Sequence, residues 1–147
     1  MIQDIDFSDE NILRLKEFLS LNSGTNFKLF NLHDQVALAN LDWSGFDEIK
    51  DQVLPLLFGY QRILRIMPKE REHYAFIFLK QGIHSALQIA GMTMKQYMTI
   101  AMELIPEDQK SAEEIYNGAI DKRSTVLVQY MDILQNSEPH ISAARFN

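Results

Sequence analysis

Between Leu79 and Met98 the chain reads L-K-Q-G-I-H-S-A-L-Q-I-A-G-M-T-M-K-Q-Y-M, and no other stretch constrains the fold so tightly. Gly82 stands where a helix end wants a left-handed C-cap residue, and Gly91 is expected to play the same part for a short helix over Ser85–Ala90. Thr93 is placed to cap the helix that follows. Helix, stop, short helix, stop and freshly capped helix within twenty residues make a compact helical hairpin. The hairpin carries no evident reactive group.

The rest of the 147 residues keeps the same periodicity. Ser8 caps a first helix with Ile12, Leu15, Phe18 and Leu19 at helical spacing, and the turn-forming run N-S-G-T-N at 22–26 breaks it. Phe27, Leu29 and Phe30 read as a short extended patch, too brief for a sheet, ahead of a helix over Leu32–Ala39. Ser44 reads as the next cap, with Asp47 and Glu48 in a first turn where the helix dipole favours acids. Phe46, Ile49, Val53, Leu57, Tyr60, Leu64 and Met67 then step by three or four, with Pro55 expected to kink or restart the helix and Pro68 to close it.

Residues 70–81 predict another helix. Its Tyr74–Leu79 run is apolar on every side, so burial is expected and Phe76→Ala or Phe78→Ala should cost about 3–5 kcal/mol. Met94, Met98 and Met102 recur four apart in the next helix, which Pro106 ends. Ser111 opens the last and longest helix, whose stripe of Ala112, Ile115, Ala119, Val126, Tyr130 and Leu134 is interrupted by Arg123 and ends at Asn136–Pro139. No repeat or linker divides the chain. The expectation is an all-α fold, a compact bundle of about six to seven helices in one domain over 1–147. Residues 1–33 form either a separate helical arm or the first layer of that bundle.

Composition narrows the function classes. Cysteine is absent, which excludes disulfides, thiolate metal sites and a cysteine nucleophile. The net charge of −6 falls on residues 1–61, with ten acids and four bases, while 62–147 hold ten of each. Bases gather only at Arg62, Arg65, Lys69 and Arg71, interleaved with Glu70 and Glu72, which is no coherent stripe for nucleic-acid phosphates. The acidic amino terminus lacks a signal-peptide pattern, and Val53–Met67 is too broken by polar residues for a membrane span.

Individual constellations read as structural. His33, His73, His84 and His140 show no ligand spacing, and Asp4, Asp6 and Asp9 lack the rest of a calcium loop, so neither metal nor cofactor is expected. Glu107-Asp108 and Glu113-Glu114 complement the dipole of the last helix. No nucleophile elbow, P-loop or dinucleotide fingerprint occurs. Gly82–Ala86 invites comparison with a helix-hairpin-helix, G-h-G-x-x-x-A, but His84 occupies the second glycine position. The methionine row serves either a core or an adaptable partner groove. Arg123 is expected to snorkel, the alternative being an ion pair with a buried acid or with a neighbouring domain.

Several runs carry a family resemblance. Leu57-x-x-Tyr60-Gln61-Arg62-x-Leu64-Arg65 resembles the a-Y-Q-R-l-l-r-l helix of the A components of Tc (toxin complex) toxins and of neuraminidase-like, Salmonella virulence-plasmid A-type proteins. Leu79-x-x-Gly82-Ile83-x-Ser85-Ala86-x-Gln88-Ile89-Ala90, then Met92 and Tyr97, is similar to the family's next segment. Ala112-x-x-Ile115-Tyr116-x-x-Ala119-x-x-Lys122-Arg123, Ser137-x-Pro139 and Ala144-x-Phe146 follow in matching order. The resemblance covers residues 34–147; residues 1–33 match nothing in it. Aspartate boxes of sialidases are absent, so glycosidase activity is not carried over, and a chain ending at Asn147 is expected to lack the family's channel.

The resemblance implies a non-catalytic helical docking module of a bacterial toxin or protein-injection apparatus, acting by protein–protein contact. Its place is the bacterial cytoplasm or a released toxin particle. Met94, Met98, Met102, Arg62 and Arg65 are the candidate partner-binding residues. The alternatives are a small helical enzyme with an unrecognised site and a helix-hairpin-helix-like nucleic-acid binder.

Overall fold

Side-chain oxygens set most helix starts in this chain. Ser8 accepts from the Asn11 amide at 3.3 Å, Asp34 from Val36 and Ala37, and Ser85 from Gln88. Thr93 and Gln96 complete a reciprocal capping box at 3.1 and 3.0 Å. In this computed structural model, which describes residues 5–137, the elements are α1 (Asp9–Leu21), α2 (Gln35–Ala39), α3 (Lys50–Leu64), α4 (Tyr74–Lys80), α5 (Ala86–Ala90), α6 (Met94–Leu104) and α7 (Gln109–Ser137). The architecture is an all-α bundle, and no strand occurs among the described residues. Asp4, His140, Pro139, Ala144 and Phe146, which entered the reading of the sequence, lie outside the described residues.

Several local expectations are corrected. Ser44 caps no helix: its amide and hydroxyl both bond the Asp42 carboxylate, at 3.0 and 2.6 Å, in a tight turn. α3 is entered instead through a 3-10 turn, Asp47–Ile49, without a side-chain cap. Pro55 does not restart α3, which runs through it from Lys50 to Leu64; it sits on the exposed side, beside exposed Asp51, whose carbonyl loses its usual partner within reach of water. Phe27–Phe30 is a turn rather than extended, the Leu29 and Phe30 amides both returning to the Asn26 carbonyl. Asp108, not Ser111, caps α7, accepting from the Ser111 amide at 3.1 Å. Gly82 does adopt a left-handed φ of 79°, but Gly91 stays right-handed at −73°. Gly91 gives room instead: a Cβ there would meet the Leu87 carbonyl at 3.2 Å.

Apolar packing then gathers these elements. Phe18 of α1 lies against Trp43, Phe46 and Phe27, with ring centroids 4.7, 5.4 and 6.4 Å away. Residues 5–33 therefore share the core of α3 and α4. Gly59 of α3 permits the close seat of Phe7, whose ring a Cβ would meet at 2.6 Å. On the other side α7 packs chiefly on α5 and then on α6, where fully buried Tyr97 donates to the Ala112 carbonyl at 2.7 Å. Tyr116 ties α7 to the α5–α6 turn through the Met92 carbonyl at 2.8 Å.

α4 is not apolar-buried all round. Phe78 and Leu79 are fully buried, but Phe76 is half-buried, stacked on Tyr60 with the Lys16 ammonium 5.0 Å from its ring. The two phenylalanines are therefore unequal. Phe78→Ala should cost about 3–5 kcal/mol, whereas Phe76→Ala, already half in water, should cost about 1–2 kcal/mol. Urea unfolding of the two variants beside the parent chain checks the difference.

Candidate functional site

α3 and the turn that ends it carry three polar side chains that reach out to irregular backbone. The buried Gln61 amide donates to the carbonyls of Phe27, at 2.8 Å, and Phe30. Arg62 donates from Nε to the His84 carbonyl at 3.3 Å, and Arg65 from Nε to the Lys28 carbonyl at 3.1 Å. None of the four ion pairs among the described residues involves Arg62 or Arg65. Both guanidinium groups are thus anchored by backbone and have no carboxylate partner among the described residues.

α7 supplies the second feature. Its inner half buries Ala112, Ile115 and Ala119 completely. Arg123 then donates to the Ala90 carbonyl at 3.0 Å, answering the C-terminal end of α5. This resolves the Arg123 question as a helix-end bond. Beyond it α5 has run out, and every residue from Asp121 to Gln135 is exposed. The expected core stripe therefore stops at Ala119: Val126, Tyr130 and Leu134 continue its register but are exposed. Val126, Leu127, Tyr130, Met131 and Ile133, between 39% and 64% exposed, fall on one side of the helix at spacings of three and four. A contiguous apolar face of this kind ordinarily marks a contact surface.

At the root of that ridge opens a cleft of about 430 Å³. Arg62, Arg65 and Ile66 bound it on one side, Ala86 and Leu87 of α5 on another, and Lys122 and Val126 of α7 on the third. Val126 belongs to both cleft and ridge. The structure thus brings Arg62 and Arg65 together, while the methionine row lies apart from the cleft: Met98 and Met102 pack against the core and Met94 alone is exposed. The outer half of α7 is the feature that the sequence reading missed. Its signal was the crowding of apolar residues in V-L-V-Q-Y-M-D-I-L, broader than a buried stripe requires.

Two other groupings have local explanations. The Tyr74 hydroxyl lies 2.7 Å from Asp108, which also accepts from Arg71 at 3.1 Å. Hydrogen bonds from Tyr74, then from Ser111, hold the Asp108 carboxyl far below the usual carboxylate range, and the same bond to Asp108 raises the Tyr74 hydroxyl. Each group is fixed in its ordinary charge state, away from the near-neutral poise of a general acid or base. In the 79–98 hairpin the His84 amide, at the position of the second glycine of a helix-hairpin-helix, donates to Gln88 Oε1 at 2.7 Å. Gln88 Nε2 returns to the Gly82 carbonyl at 3.0 Å, so the amide that a phosphate would use is engaged.

No three His, Asp or Glu side chains gather as a metal-holding group among the described residues, and no described helix is long and apolar enough to cross a membrane. No protein-family model, curated protein or solved structure matches the chain.

Asp108 gives a pH signature. Its folded-state pKa is depressed, so its contribution to stability is present above the unfolded carboxylate value of about 3.9 and is lost as pH falls below that toward the folded value. Asp108→Asn should lower Tm at pH 6 and flatten its fall below about pH 4. Tyr74→Phe should move that fall upward in pH. Thermal melts between pH 2 and 6 measure both.

Proposed function

We propose that this chain is a non-catalytic helical docking module of a bacterial toxin or protein-injection apparatus, acting by protein–protein contact. The uncovered apolar ridge on the outer half of α7 carries the contact reading. Val126, Leu127, Tyr130, Met131 and Ile133 prolong a stripe whose inner residues are fully buried, yet they stay exposed among the described residues. A second protein chain is the natural source of that cover. The toxin assignment is supported by the resemblance over residues 34–147, from Tyr60-Gln61-Arg62 through Lys122-Arg123. The place of action, bacterial cytoplasm or toxin particle, follows from the same assignment.

Within the candidate partner-binding residues this reading favours Arg62 and Arg65, which stand beside the ridge, over the methionine row. A photo-crosslinking residue in place of Leu127 or Met131, introduced in the cells that make the protein, should yield adducts with a toxin or injection-system subunit. The same residue in place of Glu48, exposed and remote in sequence, should yield none. No adduct from the ridge, or equal adducts from both places, removes the contact reading. Ridge-specific adducts with an unrelated protein keep the contact and remove the toxin assignment.

A further inference from the structure

We propose that the segment docked on this protein is an acidic amphipathic helix. Its apolar face lies along Val126, Leu127, Tyr130, Met131 and Ile133, and carboxylates at one end sit in the cleft against Arg62, Arg65 and Lys122. The proposal rests on the docking reading and names the chemistry of the partner.

Charge is the first argument. Three cations line the cleft against one carboxylate, Asp121, in a chain whose net charge is −6. Backbone carbonyls of His84 and Lys28 hold the two guanidinium groups in position without cancelling their charge. Each guanidinium has five N–H donors, and Arg65 uses a single nitrogen in its bond to Lys28. A carboxylate is the ligand whose two oxygens match that fork. Pre-positioned cations also lose little freedom on binding.

Shape is the second. The cleft floor of Ile66, Ala86, Leu87 and Val126 is apolar and runs into the ridge through Val126. From Val126 to Ile133 the ridge rises about 11 Å, two turns of helix. A partner helix meets such a surface with anchors at i, i+3, i+4 and i+7. Nucleic acid suits it poorly, since phosphates gain nothing from an apolar ridge and three clustered cations do not track a backbone.

Selection of a displayed library of 16-residue helix-forming peptides on the intact protein tests the inference. Enriched peptides should combine an apolar face with two or more acids near one end. Their affinity should fall by about tenfold or more on Lys122→Glu, and similarly between 50 and 500 mM salt, as for charge-steered contacts. Arg62→Glu should act alike where circular dichroism shows the fold intact; the Lys122 side chain makes no hydrogen bond or ion pair among the described residues, so its variant keeps the test sound if Arg62→Glu unfolds. Enriched peptides that are neutral or basic, or indifferent to Lys122→Glu, overturn the acidic partner and leave docking in place. Failure to enrich any peptide, joined to an absence of crosslinks from Leu127, overturns both. A dimer of the protein alone that Leu127→Glu dissociates, or binding to phosphatidylglycerol vesicles through the same residues, gives the ridge to another occupant and overturns the proposal.

Discussion

Buried irregular backbone must have its carbonyls answered, and here the Gln61 amide meets that demand where water cannot. It sits on α3 between fully or largely buried Leu57, Ile63 and Leu64, so it cannot move without the core moving. Arg65, one turn on, takes the carbonyl of Lys28 from the same loop, and Arg62 takes that of His84 from the α4–α5 turn. Three side chains within five residues thus fasten both an amino-terminal loop and the entry to α5 onto one helix. The course of α5 follows from this, and α7 packs more extensively on α5 than on any other helix.

What happens on α7 is then a matter of length. Its inner half faces small residues: Ala112 and Ala119 are fully buried on α7, and Ala86 and Ala90 are buried on α5, so the helices approach closely. But α5 has five residues and α7 has twenty-nine. The Arg123 guanidinium on the Ala90 carbonyl marks the point where the shorter helix stops. Past it the apolar register continues exposed at Val126 and Tyr130, with no other described element over it, and covering it is worth about 25 cal/mol per Å² of apolar surface to any chain that does so. On α7 the buried core ends at Ala119, so the exposed residues beyond it add no burial within the described bundle.

The sequence was most legible where structure is decided locally. Ser8, Thr93 and Gly82 act as their positions suggest, since a cap or a left-handed turn depends on a few neighbours. The all-α fold followed from the same periodicity. Ser44 failed because Asp42, two residues away, competes for its amide and hydroxyl, and Ser111 failed because Asp108 reaches its amide first. Phe76 and the outer half of α7 failed for a different reason. Periodicity tells which side of a helix is apolar, not whether another element covers that side. Of the candidate site, Arg62 and Arg65 were found as the local concentration of bases, but their union with Lys122 needed three helices in place.

Electrostatics explains why the cleft, rather than the ridge, would choose among apolar partners. The exposed segment of α7 carries Asp121, Lys122, Arg123 and Asp132, two charges of each sign, so the ridge attracts greasy helices without regard to charge. The acids of residues 1–61 give the chain its net −6 and oppose an acidic partner at long range. At physiological salt that opposition is screened beyond about 8 Å. The cleft cations act at contact distance beside apolar walls, where screening is weaker. A helix with acids at one end therefore gains only in the single register that puts them beside Arg62, Arg65 and Lys122. Shifted by a turn, it keeps the apolar contact but leaves its carboxylates desolvated and unpaired, and that penalty turns a sticky surface into a selective one.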